Sequence, residues 1–329
     1  MLLEPSRPKP QGFAHRLELT YTFVFSRPSV EQEDHHDETS RCVVAVTAAG
    51  EERVRLHQLE RIVVEERGTG PAVVFVHGLG GNLNLWAGWL PALQAYRCIR
   101  IDLPGCGLSA PPAQPLGVAW LADRVVALCE GLGLREAHWV GHSMGTLICQ
   151  RVAVQEPTRV KSLALFGPLS VPPQASRRAL AQRAQQAREG GLEALHNIAE
   201  TLAQATLSAS TRRDEPLIVA FVHELIRRND PHAYAQHCEA LASAQEEAIE
   251  TIEAPTLLVT GDEDAVTPPQ MMQSLATRLS SSVLVQHHVL RGCGHWTPLE
   301  RRADCLKLWS EFLRVSHRAR RQTRIGSTV

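Results

Sequence analysis

The rhythm of apolar and polar positions changes several times along the chain, and each change marks an element. From about Arg41 the pattern reads as short strands: Cys42–Val46, Val54–Leu56 and Arg61–Glu65 open a sheet, with Gly50 and Gly68-Thr69-Gly70-Pro71 as turns. Ala72–Val76 is continuously apolar, as expected of a strand buried on both faces of a parallel sheet. Trp86, Trp89, Leu90 and Leu93 then recur at helical spacing within Leu85–Tyr96, Arg97–Ile101 is the next strand, and Val118–Leu132 is again helical. The apolar run Ala137–Val140 predicts a strand, a helix follows to Glu156, and Val160–Phe166 is a further strand. Regular alternation of this kind predicts an α/β fold with a mostly parallel sheet flanked by helices.

Between Leu169 and Ile252 the alternation stops and helices follow one another without strands: Ser176–Glu189, Leu192–Leu207, Glu215–Arg228 and His232–Ala242. An all-helical insertion of this kind predicts a lid over the carboxyl edge of the sheet. Arg177, Arg178, Arg183 and Arg188 cover its first helix. A solvated face is their ordinary role, and the competing role, shared with Arg227 and Arg228, is to meet a substrate carboxylate. Alternation returns with strands Ala254–Thr260 and Val283–Leu290 around the helix Gln270–Leu279, and a closing helix runs from Ala303 to about Val315. The resulting division is an extension (1–40), a core in two parts (41–168 and 253–315), the lid (169–252) and a basic, polar, frayed tail (316–329). Within the extension, Leu17, Leu19, Tyr21, Phe23 and Phe25 alternate as a strand would, and the acidic, histidine-bearing run Glu31–Glu38 reads as a solvated loop rather than a metal site.

Composition narrows the function classes. The chain has 329 residues and a formal charge of −1, which gives no attraction to nucleic acid or anionic membrane. No apolar run reaches the roughly 18 residues of a membrane span, and Met1–Pro10 lacks the apolar segment of a secretory signal. Eight cysteines occur without a Cys-x-x-Cys pair or metal-ligand spacing, which suits small core hydrophobes of a reduced compartment. A cytoplasmic protein without nucleic-acid or membrane partners, monomeric or homodimeric, is the expectation.

The chemistry concentrates at Gly141-His142-Ser143-Met144-Gly145, Gly-x-Ser-x-Gly between a predicted strand and a predicted helix. In that context the motif is a nucleophile elbow: a turn too tight for side chains at Gly141 and Gly145 lifts the Ser143 hydroxyl to a helix N-terminus. A serine hydroxyl is a weak nucleophile near neutral pH and needs a base, which in turn needs an orienting acid. Among the fifteen histidines, His295 alone follows the last strand in a Gly-x-Gly-His loop. Asp262 and Asp264 compete for the acid; Asp264, further into its loop and ahead of Pro268, is preferred, leaving Asp262 as a turn-former or as a support behind the reacting groups. The Leu79 and Met144 backbone N–H groups are the candidate donors to an oxyanion. His77, Gly78, His142 and Trp296 flank these groups and are taken as substrate contacts, with the alternative for His77 that it holds its own loop together.

As a set, His77-Gly78-x-Gly80, Asp102-Leu103-Pro104-Gly105-x-Gly107-x-Ser109, Gly141–Gly145, Gly261-x-x-Asp264 and Gly294-His295 resemble the α/β-hydrolase family over about Arg41 to Val315. Within it, Gly190-Gly191-Leu192, Asn229–Tyr234 and the stretches Ala254-Pro255-Thr256 through Thr267-Pro268-Pro269 are most similar to the 3-oxoadipate enol-lactonase-like serine esterases. The resemblance implies an α/β-hydrolase fold and cofactor-free hydrolysis of a small ester or lactone, with Ser143, Asp264 and His295 as its catalytic residues. C–C bond hydrolysis, peracid formation and a receptor that retains the pocket are the alternatives on this scaffold. The chain departs from the subfamily at His142, at Thr146, and at Glu200-Thr201-Leu202-Ala203, where an Arg-Trp pair is usual.

Overall fold

The structure is a computed structural model that describes residues 40–45, 54–59 and 61–326. The strand expected around Leu17–Phe25 and the acidic run Glu31–Glu38 lie outside the described residues. Among the described residues nine strands form one sheet: β1 (Ser40–Ala45), β2 (Val54–Leu59), β3 (Ile62–Arg67), β4 (Ala72–Val76), β5 (Arg97–Ile101), β6 (Ala137–His142), β7 (Val160–Phe166), β8 (Thr256–Gly261) and β9 (Val285–Leu290), in the order β1-β2-β3-β5-β4-β6-β7-β8-β9. The first three strands and β5 pair antiparallel; every pairing from β5 through β4 to β9 is parallel. β4 lies between β5 and β6, so successive connections leave it in opposite directions. That reversal opens a crevice beyond the carboxyl ends of β4 and β6, the place where open α/β sheets bind ligands.

Burial follows the hydrophobic pattern. Every residue of β4, β6 and β8 is buried, as a strand covered on both faces requires. Helices α1 (Val118–Gly131), α2 (Met144–Gln155), α7 (Pro269–Arg278) and α9 (Arg302–Gly326) cover the sheet. Beneath α9 an aromatic cluster fills one layer: Trp89 lies 5.2 Å from Phe166 and 5.3 Å from Trp86, both nearly perpendicular to it, and Trp309 closes the group at 6.3 Å. Each such edge-to-face pair adds about 0.5–1.5 kcal/mol beyond the area it buries.

Some boundaries differ from the sequence expectation, each for a local reason. The segment expected as a helix over Leu85–Tyr96 is a 3₁₀ helix, Leu83–Ala92, with Pro91 inside it. Residues three apart eclipse in that geometry, which stacks Trp86 and Trp89 into the core, and proline supplies no donor to an α-helical continuation. The insertion between β7 and β8 is helical, as expected: α3 (Gln174–Thr206), α4 (Ala209–Asp214), α5 (Pro216–Arg227) and α6 (Pro231–Ala242). Gly191, at φ +57°, breaks α3 into the two expected halves. The short α4 falls between the expected helices Leu192–Leu207 and Glu215–Arg228, where no helix was expected; Ser208 caps it, its hydroxyl accepting from the Thr211 N–H at 3.2 Å. Helix α9 continues to Gly326, beyond the stop expected near Val315.

The insertion sits on the loops at the carboxyl edge. Ile226 and Tyr234 pack against Gly80 after β4, Ala233 against Gly105 after β5, and the end of α3 against Gly294 after β9. Among the described residues no helix is long and apolar enough to cross a membrane.

Candidate active site

β6 delivers Ser143 at the first turn of α2. Its backbone stands at φ +52°, ψ −121°, a left-handed conformation that a residue with a Cβ holds only at a cost of about 1–3 kcal/mol. The strain is pinned from both sides. The Ser143 N–H donates to the Phe166 carbonyl of β7 at 3.0 Å, and its carbonyl accepts from the Thr146 N–H at 2.8 Å and the Thr146 hydroxyl at 2.6 Å. Bare glycines make room for the turn: a Cβ on Gly145 would lie 2.4 Å from the Val76 carbonyl oxygen, and one on Gly141 2.8 Å from the Gly145 oxygen. Thr146 has a structural use, because its hydroxyl also accepts from the Leu169 N–H at 2.9 Å and ties the elbow to the start of the insertion.

Three strand exits converge on this hydroxyl. His295, after β9, lies with Nε2 2.8 Å from the Ser143 Oγ, and its Nδ1 lies 2.9 Å from Oδ2 of Asp264, after β8. A carboxylate only accepts, so Nδ1 carries the proton and Nε2 offers its lone pair to the serine hydroxyl. Asp264 is itself fully gathered in. Its Oδ1 accepts from the Val266 and Thr267 N–H groups, both at 2.8 Å, and its Oδ2 from the Thr267 hydroxyl at 2.5 Å and the Thr260 hydroxyl at 3.1 Å. Burial alone would raise its pKa; the adjacent His295 and the bonds from His295 and Thr267 outweigh that and hold the carboxyl well below the usual range. Asp262 Oδ1 accepts from the Cys293 N–H at 3.2 Å, a bond across to the histidine loop rather than within its own turn.

The side where oxyanion donors were expected is built from the β4 exit and the α2 N-terminus. A tight turn closes with the Gly81 N–H on the Gly78 carbonyl at 3.0 Å, and Asn229 of the insertion reaches the Gly80 carbonyl with its side-chain amide at 3.2 Å. A Cβ on Gly78 would stand 2.7 Å from the Ser143 Cβ, so only glycine lets this loop come so close to the serine. Among the described residues the N–H groups of Leu79 and Met144 donate to no protein acceptor. The dipole of α2 adds a positive field at Met144.

Two of the expected substrate contacts, His77 and Trp296, are corrected by the geometry. His77 is fully buried. Its Nδ1 donates to the Gly78 carbonyl at 2.8 Å and its Nε2 accepts from the Leu103 N–H at 3.0 Å, so it joins the β4 and β5 exits and leaves no atom for a substrate. Burial lowers its pKa to about 3 and keeps it neutral, as that pair of bonds requires. His142 is buried with its ring 5.0 Å from that of His295, and its Nε2 donates to the His295 carbonyl at 2.9 Å. Trp296 covers His142 at 5.1 Å and donates its indole N–H to the Thr206 hydroxyl at 2.9 Å. Trp296 thus supports the histidine loop, whereas His142 braces it through Nε2 and keeps its Nδ1, beside Gly78, without a protein partner among the described residues.

The arginines of the insertion are largely committed to protein partners. Arg177 donates to the carbonyls of Pro172, Ala242 and Ala244. Arg188 pairs with Glu239, and Arg227 and Arg228 pair with Glu224. Arg183 borders an open groove of about 700 Å³ between the two halves of α3, together with Gln182, Gln186, Asn197 and Thr201. Among the described residues no cluster of three or more His, Cys, Asp or Glu is placed to hold a metal ion.

Sequence reading missed the residues that hold these loops: Asn229, Thr206 and above all Glu300. Glu300 left one trace, an acidic residue within the first turn of a short helix just beyond the histidine loop, where a carboxylate can reach back to free N–H groups.

The arrangement and the sequence both have relatives. The chain is 32% identical over 216 residues to 3-oxoadipate enol-lactonase 2 of Acinetobacter baylyi, covering 65% of this chain and 79% of that protein. It is 29% identical over 267 residues to the 2-hydroxymuconate semialdehyde hydrolase of a Pseudomonas species, covering 77% and 90%. The enol-lactonase of Burkholderia xenovorans superposes with a TM-score of 0.70 at 26% identity, over 79% of this chain and 96% of that one. With residues 71–301 matching the family described as the alpha/beta hydrolase fold, and a sheet whose exits gather serine, histidine and aspartate at one point, this chain belongs to the α/β-hydrolase family.

Proposed function

We propose that the protein is a cofactor-independent serine hydrolase that opens a small carboxylic ester or lactone through an acyl-enzyme. The observation that carries this reading is the unbroken relay from the strained Ser143 hydroxyl through His295 to Asp264. Ser143 Oγ attacks the carbonyl carbon as His295 Nε2 takes its proton; the carbonyl oxygen, now negative, is met by the Leu79 and Met144 N–H groups. Asp264 keeps Nδ1 protonated and stabilises the imidazolium. Collapse of the adduct expels the alkoxide or enolate, which takes the proton from His295 and leaves the acyl group on Ser143. Water, deprotonated by the same imidazole, then releases the acid and restores the hydroxyl. Helices α3–α6 act as the lid that shapes the substrate site.

A relative named as a lactonase supports the lactone reading, and a relative named as a semialdehyde hydrolase supports a second one, hydrolysis of a C–C bond beside a carbonyl on the same relay. Product analysis separates them. A panel of p-nitrophenyl esters, an enol-lactone and a vinylogous diketone, run beside Ser143→Ala, is expected to show serine-dependent turnover of the ester and lactone. Turnover confined to the diketone would favour the second reading, and turnover unaffected by Ser143→Ala would remove both.

A further inference from the structure

The loop that carries His295 is held from outside itself at three consecutive amides. The His295 N–H donates to the Thr206 carbonyl at the end of α3 at 2.7 Å, and the Gly294 and Trp296 N–H groups on either side both donate to Oε1 of Glu300 at 3.1 Å. The other carboxylate oxygen faces the insertion: Oε2 of Glu300 accepts from the Ser208 N–H and from the Thr211 hydroxyl, both at 2.8 Å. Two further bonds brace the same seam. The Ala209 N–H donates to Glu263, one residue before Asp264, at 2.8 Å, and the Ser210 hydroxyl donates to the Gly292 carbonyl at 3.3 Å.

We infer that Glu300 is a positioning residue for the general base, and that it makes the place of His295 depend on the seating of the α3–α4 junction. One carboxylate with two acceptor oxygens is the simplest group able to hold donors on both sides at once. Lose the junction, and the histidine loop keeps its two amide bonds to Glu300 but loses those to Thr206 and Ser210; lose the carboxylate, and donors on both sides are left facing each other. The inference rests on the serine-hydrolase reading for its kinetic consequence, while its structural content concerns only the His295–Asp264 contact.

Glu300→Gln is the sharp variant, because a glutamine has one acceptor oxygen and must turn its NH₂ group toward either the loop amides or the Ser208 N–H. Loosening a reacting group by a fraction of its contact distance can cost about 10²-fold in rate. For p-nitrophenyl butyrate we expect kcat to fall by about that factor with KM changed less than about twofold. Thr211→Val, which removes the bond to Glu300 and the one that the Ser208 hydroxyl donates to Thr211 while leaving the carboxylate in place, should give a smaller loss of about 3–10-fold. In parallel, the low-field proton resonance of the His295 Nδ1–H against Asp264 should broaden or move upfield in both variants. A folded Glu300→Gln protein with the wild-type kcat and resonance overturns the inference, as does a loss confined to the melting temperature. If Glu300→Gln does not fold, Thr211→Val decides by the same two readouts. Should wild type and Ser143→Ala hydrolyse the ester equally, the serine-hydrolase reading fails, and the resonance alone then judges Glu300.

Discussion

At the scale of single residues, the site works by denying each group its easiest state. Ser143 is held in a conformation its Cβ disfavours, Asp264 is kept ionised in a buried place, and His295 has one tautomer that suits both neighbours. Removing the acid's charge while keeping its shape should leave the wrong tautomer on the imidazole. Asp264→Asn is therefore expected to lower kcat for p-nitrophenyl butyrate by about 10⁴-fold, the scale seen when the acid of a serine triad is so changed. Asp262→Asn, which touches only the Cys293 N–H, should cost no more than about tenfold. The reverse ranking would assign the acid wrongly. Of the three residues that converge here, Ser143 and Asp264 were legible because each follows a strand with a continuous apolar run; His295 follows the mixed strand Val285–Leu290 and was legible from its Gly-x-Gly-His loop. His77 was legible as a residue of the right loop, but adjacency along the chain does not say which way an imidazole turns. Here both nitrogens turn inward, to Gly78 and Leu103.

At the scale of elements, the elbow between β6 and α2 is a turn with no room for a further atom. A methyl group on Gly145 would meet the carbonyl oxygens of Val76 at 2.4 Å and His77 at 2.7 Å, which are backbone atoms of the β4 exit and cannot yield without moving the oxyanion loop. Gly145→Ala should lower the free energy of unfolding by about 1–3 kcal/mol in urea titrations and depress kcat in the folded fraction. An unaltered unfolding midpoint with full activity would show that the turn is looser than described. Elements read from periodicity came out well where the repeat was long, as in α1 and the two halves of α3. Short pieces did not. Helix α4 has no apolar repeat to announce it and exists because Ser208 caps it and Glu300 holds its first turn. The 3₁₀ segment shares its tryptophan spacing with an α-helix, and only Pro91 hinted at the difference.

At the scale of the whole molecule, buried neutral histidines set the response to acid. Burial is the largest cause in each case, and it lowers His77 and His142 to about 3 and His237 to about 4. The unfolded chain binds protons at these positions near pH 6.5, so unfolding takes up protons below that pH. The stabilisation is complete above about pH 6.5 and declines as the pH falls, at about 1.4 kcal/mol per pH unit for each histidine. Asp264, whose folded pKa is depressed, adds a further loss as the pH drops below about 4. Urea unfolding between pH 7.5 and 5 should thus show uptake of up to about three protons, reduced by about one in His237→Gln. A stability independent of pH over that range would mean that these imidazoles are solvated in the native state.

The central claim, that Ser143 is made nucleophilic by His295 and Asp264, is tested most directly by fluorophosphonate labelling followed by peptide mass spectrometry. One adduct per chain, on the peptide bearing Ser143 and abolished in His295→Ala, is the predicted result. An unlabelled protein, or an adduct on another residue, would contradict it.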